Sequence, residues 1–250
     1  ARDIRNCTRA FSINTQIDSA PDSHLGLQIW NQYTSSVDLK SNQRMELEVK
    51  RGDDASSPRI VNGQIVLGQE DCRSKLNGMA ITLPSSSVNR IEGYLGGDAT
   101  IYLEGGATLS GLYDDRGYGQ IAISWLRNNV VVKSGLTAAV MKGGYYGGTI
   151  TLEEGSSLMF DMRAAPAGGG SDWDGGAKFI LMGRSTLDLC QNGVYANDVK
   201  IAGGEEVTIK NGKILSNLTL KGQSLALWNV SLYPEDKVYL EGDATLNLLN

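Results

Sequence analysis

GGTITLEEGSSLMF, residues 147–160, decides the fold. Ile150 and Leu152 alternate with Thr149 and Thr151, the two-residue period of a half-buried strand. The spacer Glu153-Glu154-Gly155-Ser156-Ser157 breaks that run, and Leu158 opens a second strand. The underlying template is apolar, any, apolar, five residues, apolar. It recurs at Ile101/Leu103/Leu109, Phe179/Leu181/Leu187, Val207/Ile209/Leu215 and Val238/Leu240/Leu246. Its five spacers each carry a glycine (Gly105, Gly155, Gly183, Gly212, Gly242), so each unit reads as strand, bend, strand.

The units open at 101, 150, 179, 207 and 238, so the later steps are 29, 28 and 31 residues. The first step, 49 residues, holds two coils if Ile121-Ala122-Ile123 opens a degenerate one. Such a repeat predicts the coil of a three-sided parallel β-solenoid, with coils of about 20–31 residues. One coil cannot bury its own inward side chains, whereas stacked coils share a continuous apolar column. Working outward, the same alternation appears in Met45/Leu47/Val49, Met79/Ile81/Leu83, Leu218/Leu220, Leu225/Leu227 and Val230/Leu232. No window shows helical periodicity, so the chain reads as all-β. The rival is a two-sheet sandwich, in which Asn211-Gly212 would turn a hairpin between Ile209 and Ile214. A sandwich does not predict a constant repeat.

Residues 1–58 fall outside the repeat and read as an N-terminal cap with the first strands; residues 59–250 read as the solenoid. The opening ARDIRNCTRAF has no initiator Met and no apolar core, which suggests a mature chain or an excised piece. The closing ATLNLLN stops inside a unit, which suggests further chain or a covering subunit.

Composition removes several function classes. Net charge is −5 with no run of Lys or Arg, which argues against a nucleic-acid or anionic-membrane surface. No stretch approaches 18 consecutive apolar residues, so no segment reads as a membrane-spanning helix. His24 is the single histidine, too few for a His-rich zinc site or for any mechanism needing two imidazoles. Cys7, Cys72 and Cys190 form no CxxC pair; one bridge plus a free thiol and three reduced thiols both fit. No P-loop, GxSxG, HExxH or dinucleotide fingerprint is present, and no cofactor or metal is expected.

The stretches GGDATIYLEGGATLSG, GGTITLEEGSSLMF and EDKVYLEGDATLNL resemble the right-handed parallel β-helix of bacterial autotransporter passengers and related adhesins. RIVNGQIVLG and TIKNGKILSNLTLKGQSLALWNVSL resemble the looser pectin-lyase-like superfold, which also includes phage tailspikes. The resemblance covers residues 59–250 and lies in strand and glycine-bend grammar, not in a catalytic signature. It implies a capped right-handed β-solenoid at the cell surface, outside the cell or on a virion: a rigid rod that displays loops. The expected role is a non-catalytic adhesin or scaffold whose loops touch a glycan or protein partner. One alternative is a tailspike-like protein that binds or cleaves glycans, trimeric if it follows that type. Another is a virion or surface-layer assembly component, held to neighbouring subunits.

Three insertions carry the candidate contacts. In AAPAGGGSDWDGG, residues 164–176, Asp172 and Asp174 flank Trp173: an indole to stack on a sugar ring and two acids to accept its hydroxyls. The same two acids are the first candidates for general acid and base chemistry on a glycosidic bond, with Asp114 and Asp115 behind them. Asp114-Asp115 sits in LYDDRGYG with Tyr113 and Tyr118 beside it, and Tyr145-Tyr146 stands between two glycine pairs. The plainer alternative is a solvated loop whose Trp folds back, with tyrosines shielding strand edges. If the three insertions leave one flank, they line one groove. Glu153-Glu154 and Glu205-Glu206 fall at bends, and the sequence shows no arginine partner near either pair.

Overall fold

The computed structural model describes residues 2–4, 11–13, 24–30, 34–38, 44–50, 59–61, 64–67, 73–75, 80–83, 85–91, 93–115, 121–145, 147–164, 177–191, 195–233 and 235–250. Every regular element among them is a strand, and apart from the antiparallel pairs Arg59–Val61 with Gln64–Leu67 and Tyr113–Asp115 with Ile121–Ile123, the strands pair in parallel and stack as a β-solenoid of about seven turns. Three faces organise each coil.

Face A is built from Ala80–Leu83, Thr100–Leu103, Asn129–Val132, Thr149–Leu152, Ala177–Met182 and Tyr195–Ala202. Leu218–Lys221 and Val238–Glu241 continue it. Its inward side chains form two columns. Ile101, Val130, Ile150, Phe179, Val199 and Leu218 make the first; Leu83, Leu103, Val132, Leu152, Leu181, Ile201 and Leu220 make the second, all buried. Parallel sheets are normally covered on both sides and read as unbroken apolar runs. Here the outer side faces solvent, so Thr149 and Thr151 stay half-exposed between buried neighbours and the alternation survives.

Face B carries Gln64–Leu67, Val88–Ile91, Thr108–Ser110, the first halves of Thr137–Tyr145 and Ser157–Ala164, Thr186–Asp188, Val207–Ile214, Ser224–Leu232 and Thr245–Leu249. Face C is short: Arg73–Lys75, Tyr94–Gly96, Trp125–Leu126, Gly144-Tyr145 and Arg163-Ala164, followed further along by Tyr195-Ala196, Lys213-Ile214 and Ser231-Leu232. At the other end, Phe11–Ile13 and Thr34–Asp38 extend face A from Ala80–Leu83. Arg2–Ile4, His24–Trp30 and Arg44–Lys50 pair in parallel as a separate sheet. The expected boundary of the cap, at residue 58, lies outside the described residues.

The coil length differs from the repeat read in the sequence. Along face A the first column falls at 81, 101, 130, 150, 179, 199, 218 and 238, so the steps are 20, 29, 20, 29, 20, 19 and 20. The unit is therefore 20 residues, and the two longer coils each carry an insertion. Ile121-Ala122-Ile123 opens no coil: Ile121–Ile123 is the return arm of a hairpin with Tyr113–Asp115, and the rung there is Asn129–Val132. Val207 belongs to face B, in line with Leu225, which is why the 28- and 31-residue steps mix two faces. Asn211-Gly212 makes no hairpin either, since Val207–Ile214 pairs in parallel with Ser224–Leu232 around the corner.

Among the described residues, each corner from face A to face B after Ala80–Leu83 holds a left-handed residue. It is filled by Ser86, Gly106, Gly135, Gly155, Arg184, Gly203, Gly222 and Gly242. Arg184 accepts φ of 59°, a conformation unfavourable for a residue with a Cβ. Its side chain has a position to hold there: Nε pairs with Glu205 at 2.5 Å, and the far end of the guanidinium pairs with Glu154. The glutamates at the bends thus do have an arginine partner, placed one coil away on either side and so out of sight in the linear sequence. Lys133–Glu104 at 2.6 Å and Ser134 donating to Glu153 at 2.9 Å tie further coils at the same corner. These links are solvent-exposed or nearly so, and high salt screens them. Most of the stability lies in the inward columns.

Candidate functional site

Two of the segments that carry expected contact residues are rooted at the ends of face C. Tyr94, Trp125, Gly144 and Arg163 occupy successive rungs in register. The hairpin bearing Tyr113, Asp114 and Asp115 leaves the stack at Leu112 and rejoins it at Ser124. Its base is clamped: the Ser124 N–H donates to the Leu112 carbonyl at 2.8 Å, and the Ser124 hydroxyl donates to the Ile91 carbonyl at 3.1 Å. Gly111 beside it is packed so closely that a Cβ would stand 2.9 Å from the Lys142 carbonyl oxygen. In the sequence, Asp172, Trp173 and Asp174 fall between Ala164, which is paired with Tyr145, and buried Ala177. The roots at Ser124, Tyr145 and Ala164 therefore lie on three neighbouring rungs, about 10 Å end to end. Tyr118, Tyr146, Asp172, Trp173 and Asp174 themselves lie outside the described residues.

Tyr145 differs from its sequence reading. It is fully buried, donates its hydroxyl to the Asn128 carbonyl at 3.0 Å, and meets Phe160 edge-to-face at 5.9 Å between centroids. Burial pushes its phenol well above the ordinary range. Register is the reason: Tyr145 stacks on Leu126, which is itself fully buried, so the position points inward and offers a ligand no surface.

In its place the coil presents residues that the sequence reading passed over. Trp125 is half-buried and leans over Gly144; a Cβ on Gly144 would run into its indole. Arg127 is exposed, donates to the Tyr94 hydroxyl at 2.8 Å, and reaches toward Gly147, where a Cβ would lie 3.3 Å from its Nε. Tyr94, Trp125 and Arg127 thus form an outward aromatic and cationic platform beside the hairpin root. The signal in sequence was a Trp aligned one coil below a glycine, legible only once the coil length is known.

A second polar corner lies further along the stack, between faces B and C. Asp188 accepts from the Cys190 N–H and the Asn211 amide, each at 3.0 Å, and Lys210 stands 3.6 Å away. Asn229 donates to Asn211 at 3.3 Å. Burial pushes the Asp188 carboxyl up, but the Asn211 amide, the Cys190 N–H and Lys210 together outweigh it and hold the carboxyl below its ordinary 3.8. The Cys190 thiol is half-buried and free, and burial, with Asp188 and Asp161 nearby, pushes it up to about 11.

A carboxyl with a depressed folded value contributes stability above its unfolded value and loses it as pH falls through the folded one. Wild-type stability should therefore decline on acidification below about pH 4, and Asp188→Asn should show less of that decline. Melting both proteins at neutral and acidic pH checks this. An equal decline in the two would remove Asp188 from the acid response.

Compared with known proteins, the chain matches no family model and no curated protein.

Proposed function

We propose that this chain is a non-catalytic β-solenoid displayed outside the cell or at a bacterial surface, of the autotransporter-passenger or adhesin type. The coil stack is the scaffold, and the face C flank is the contact surface for a glycan or protein partner. One observation carries the reading: the insertions bearing Tyr113, Asp114, Asp115 and Asp172–Asp174 root on neighbouring rungs of the face that also presents Trp125, Tyr94 and Arg127. Aromatic faces stack on sugar rings while charged and hydroxyl groups orient them, and rigid elements hold such groups better than a free loop does.

The test is binding of the wild-type chain and Trp125→Ala to an array of polysaccharides and host-surface glycoproteins. Loss of the Trp125 indole should weaken the bound ligand about tenfold or more, with the melt little changed. Unchanged binding by Trp125→Ala would overturn the placement on face C.

A tailspike-like glycan-cleaving reading is favoured by one feature only, the neighbouring rungs from which the two acid-bearing insertions start. It requires two carboxylates about 5–10 Å apart across a bound sugar. Shortening of a bound polysaccharide by wild type and not by Asp114→Asn, Asp115→Asn or Asp172→Asn would replace the adhesin reading.

A further inference from the structure

The outer side of face A carries a column of uncharged residues. Thr82, Tyr102, Val131, Thr151 and Ile180 follow one another in register, each half-exposed beside buried neighbours. Next to them, Thr100, Asn129 and Thr149 make a second uncharged column, in which the Thr149 N–H donates to Asn129 Oδ1 at 2.9 Å. In a chain of which 20% is charged, such a stretch sets this side apart, because depletion of charge marks the core of an interface. The backbone here is engaged in the ladders above and below, so no further strand can add to it. Only side chains are on offer.

The first column is size-complementary about Val131. Tyr102 and Thr151 stand one rung to either side, and Thr82 and Ile180 two rungs. Three rungs away are exposed Lys200 at one end and the register position of Asp38 at the other. Against a second copy running the opposite way along the stack, each large residue meets a small one. Tyr102 falls over Thr151, Ile180 over Thr82, and Lys200 over the acidic position. A copy running the same way sets Tyr102 on Tyr102 and Lys200 on Lys200, and like charges in contact are costly. Charges at the adjoining corner are engaged within the chain: Lys133 pairs with Glu104 at 2.6 Å, and Glu153 accepts from the Ser134 N–H at 2.9 Å.

We infer that face A is a self-association surface. A second copy of this chain packs on it with its coils reversed and the two-fold axis along Asn129–Val132. A two-fold contact closes on itself, so it makes a dimer and not a filament. The rungs from Asp38 to Lys200, about 4.8 Å apart and four residues wide, offer roughly 400 Å² a side, the area of a reversible dimer. Face C is left uncovered, so the contact does not depend on a ligand there.

Sedimentation velocity of the whole chain, from micromolar to near-millimolar concentration, tests it. Wild type should pass from monomer to dimer and stop there. Val131→Arg sets two cations together on the axis and should weaken the dimer about tenfold or more. Thr186→Arg, equally outward but on face B, should dimerise like wild type. Lys200→Asp should weaken the dimer several-fold, and adding Asp38→Lys should restore it, as only reversed coils allow. Because Val131, Thr186 and Lys200 face outward, unchanged melts separate lost association from lost folding. A wild type that stays monomeric or grows past two copies overturns the surface, as does a dimer indifferent to Val131→Arg. Failure of Asp38→Lys to restore the dimer overturns the reversed arrangement.

Discussion

Leu187→Asp is expected to destabilise the stack by about 3–5 kcal/mol, the scale of an uncompensated charge in a dry interior. Leu187 is fully buried, with Leu158 on the coil before it and Ile209 on the coil after, so no neighbour can pair or hydrate the carboxylate. Relaxation outward is blocked because the backbone on both sides is held in parallel ladders. Thr186→Asp, one residue earlier and facing outward, is the matched control and should shift stability by less than about 1 kcal/mol. Urea unfolding of the three proteins decides the matter. If Leu187→Asp and Thr186→Asp melt together, the inward register of face B is wrong.

Phe160→Ala is the second large effect, about 3–5 kcal/mol. Phe160 stands edge-to-face between Tyr145 at 5.9 Å and Phe179 at 5.2 Å, so its ring links the inward residues of faces C, B and A. Truncation removes two aromatic contacts, each worth about 0.5–1.5 kcal/mol beyond area burial, and leaves a cavity that fixed ladders cannot close. Phe160→Leu keeps most of the volume and should cost clearly less. A loss of under about 1 kcal/mol in Phe160→Ala would show that the three rings do not support one another.

These two effects rest on alternation, the part of the fold most legible in the sequence. Ile101, Ile150, Phe179 and Leu187 were all read as inward, and all are buried. The period was not legible, for a physical reason. Strand, bend and strand look alike at the two corners, so Val207 on face B matched the same template as Ile150 on face A. The insertions hid the unit further by lengthening two coils to 29 residues.

The site divides along the same line. Glycine and acidic residues interrupt the pattern where the two long coils carry their insertions, whereas the glycines around Tyr145 sit in an ordinary 20-residue coil and mark no insertion. Platform residues follow from which coil lies above which, so Trp125 over Gly144 and Arg127 against Tyr94 could not be read from either segment alone. Tyr145 was misplaced because an aromatic among glycines looks exposed until the inward position of its own strand is counted. Arg184 escaped for the same reason as Trp125: its glutamates are 30 and 21 residues away in sequence and one coil away in space.

The 20-residue coil with its two nine-residue excursions has a consequence for how this molecule can change. One excursion is rooted where the chain enters face C and the other where it leaves that face, and the rungs before and after each remain in step with the rest of the stack. Length is thus freest at the two ends of face C and tightly held within each rung, since a single added residue there would turn its apolar side chains outward. Descendants of such a chain can trade whole surface segments for new ones there while inheriting the frame intact. Novelty gathers at the two ends of face C, and heredity keeps the ladders.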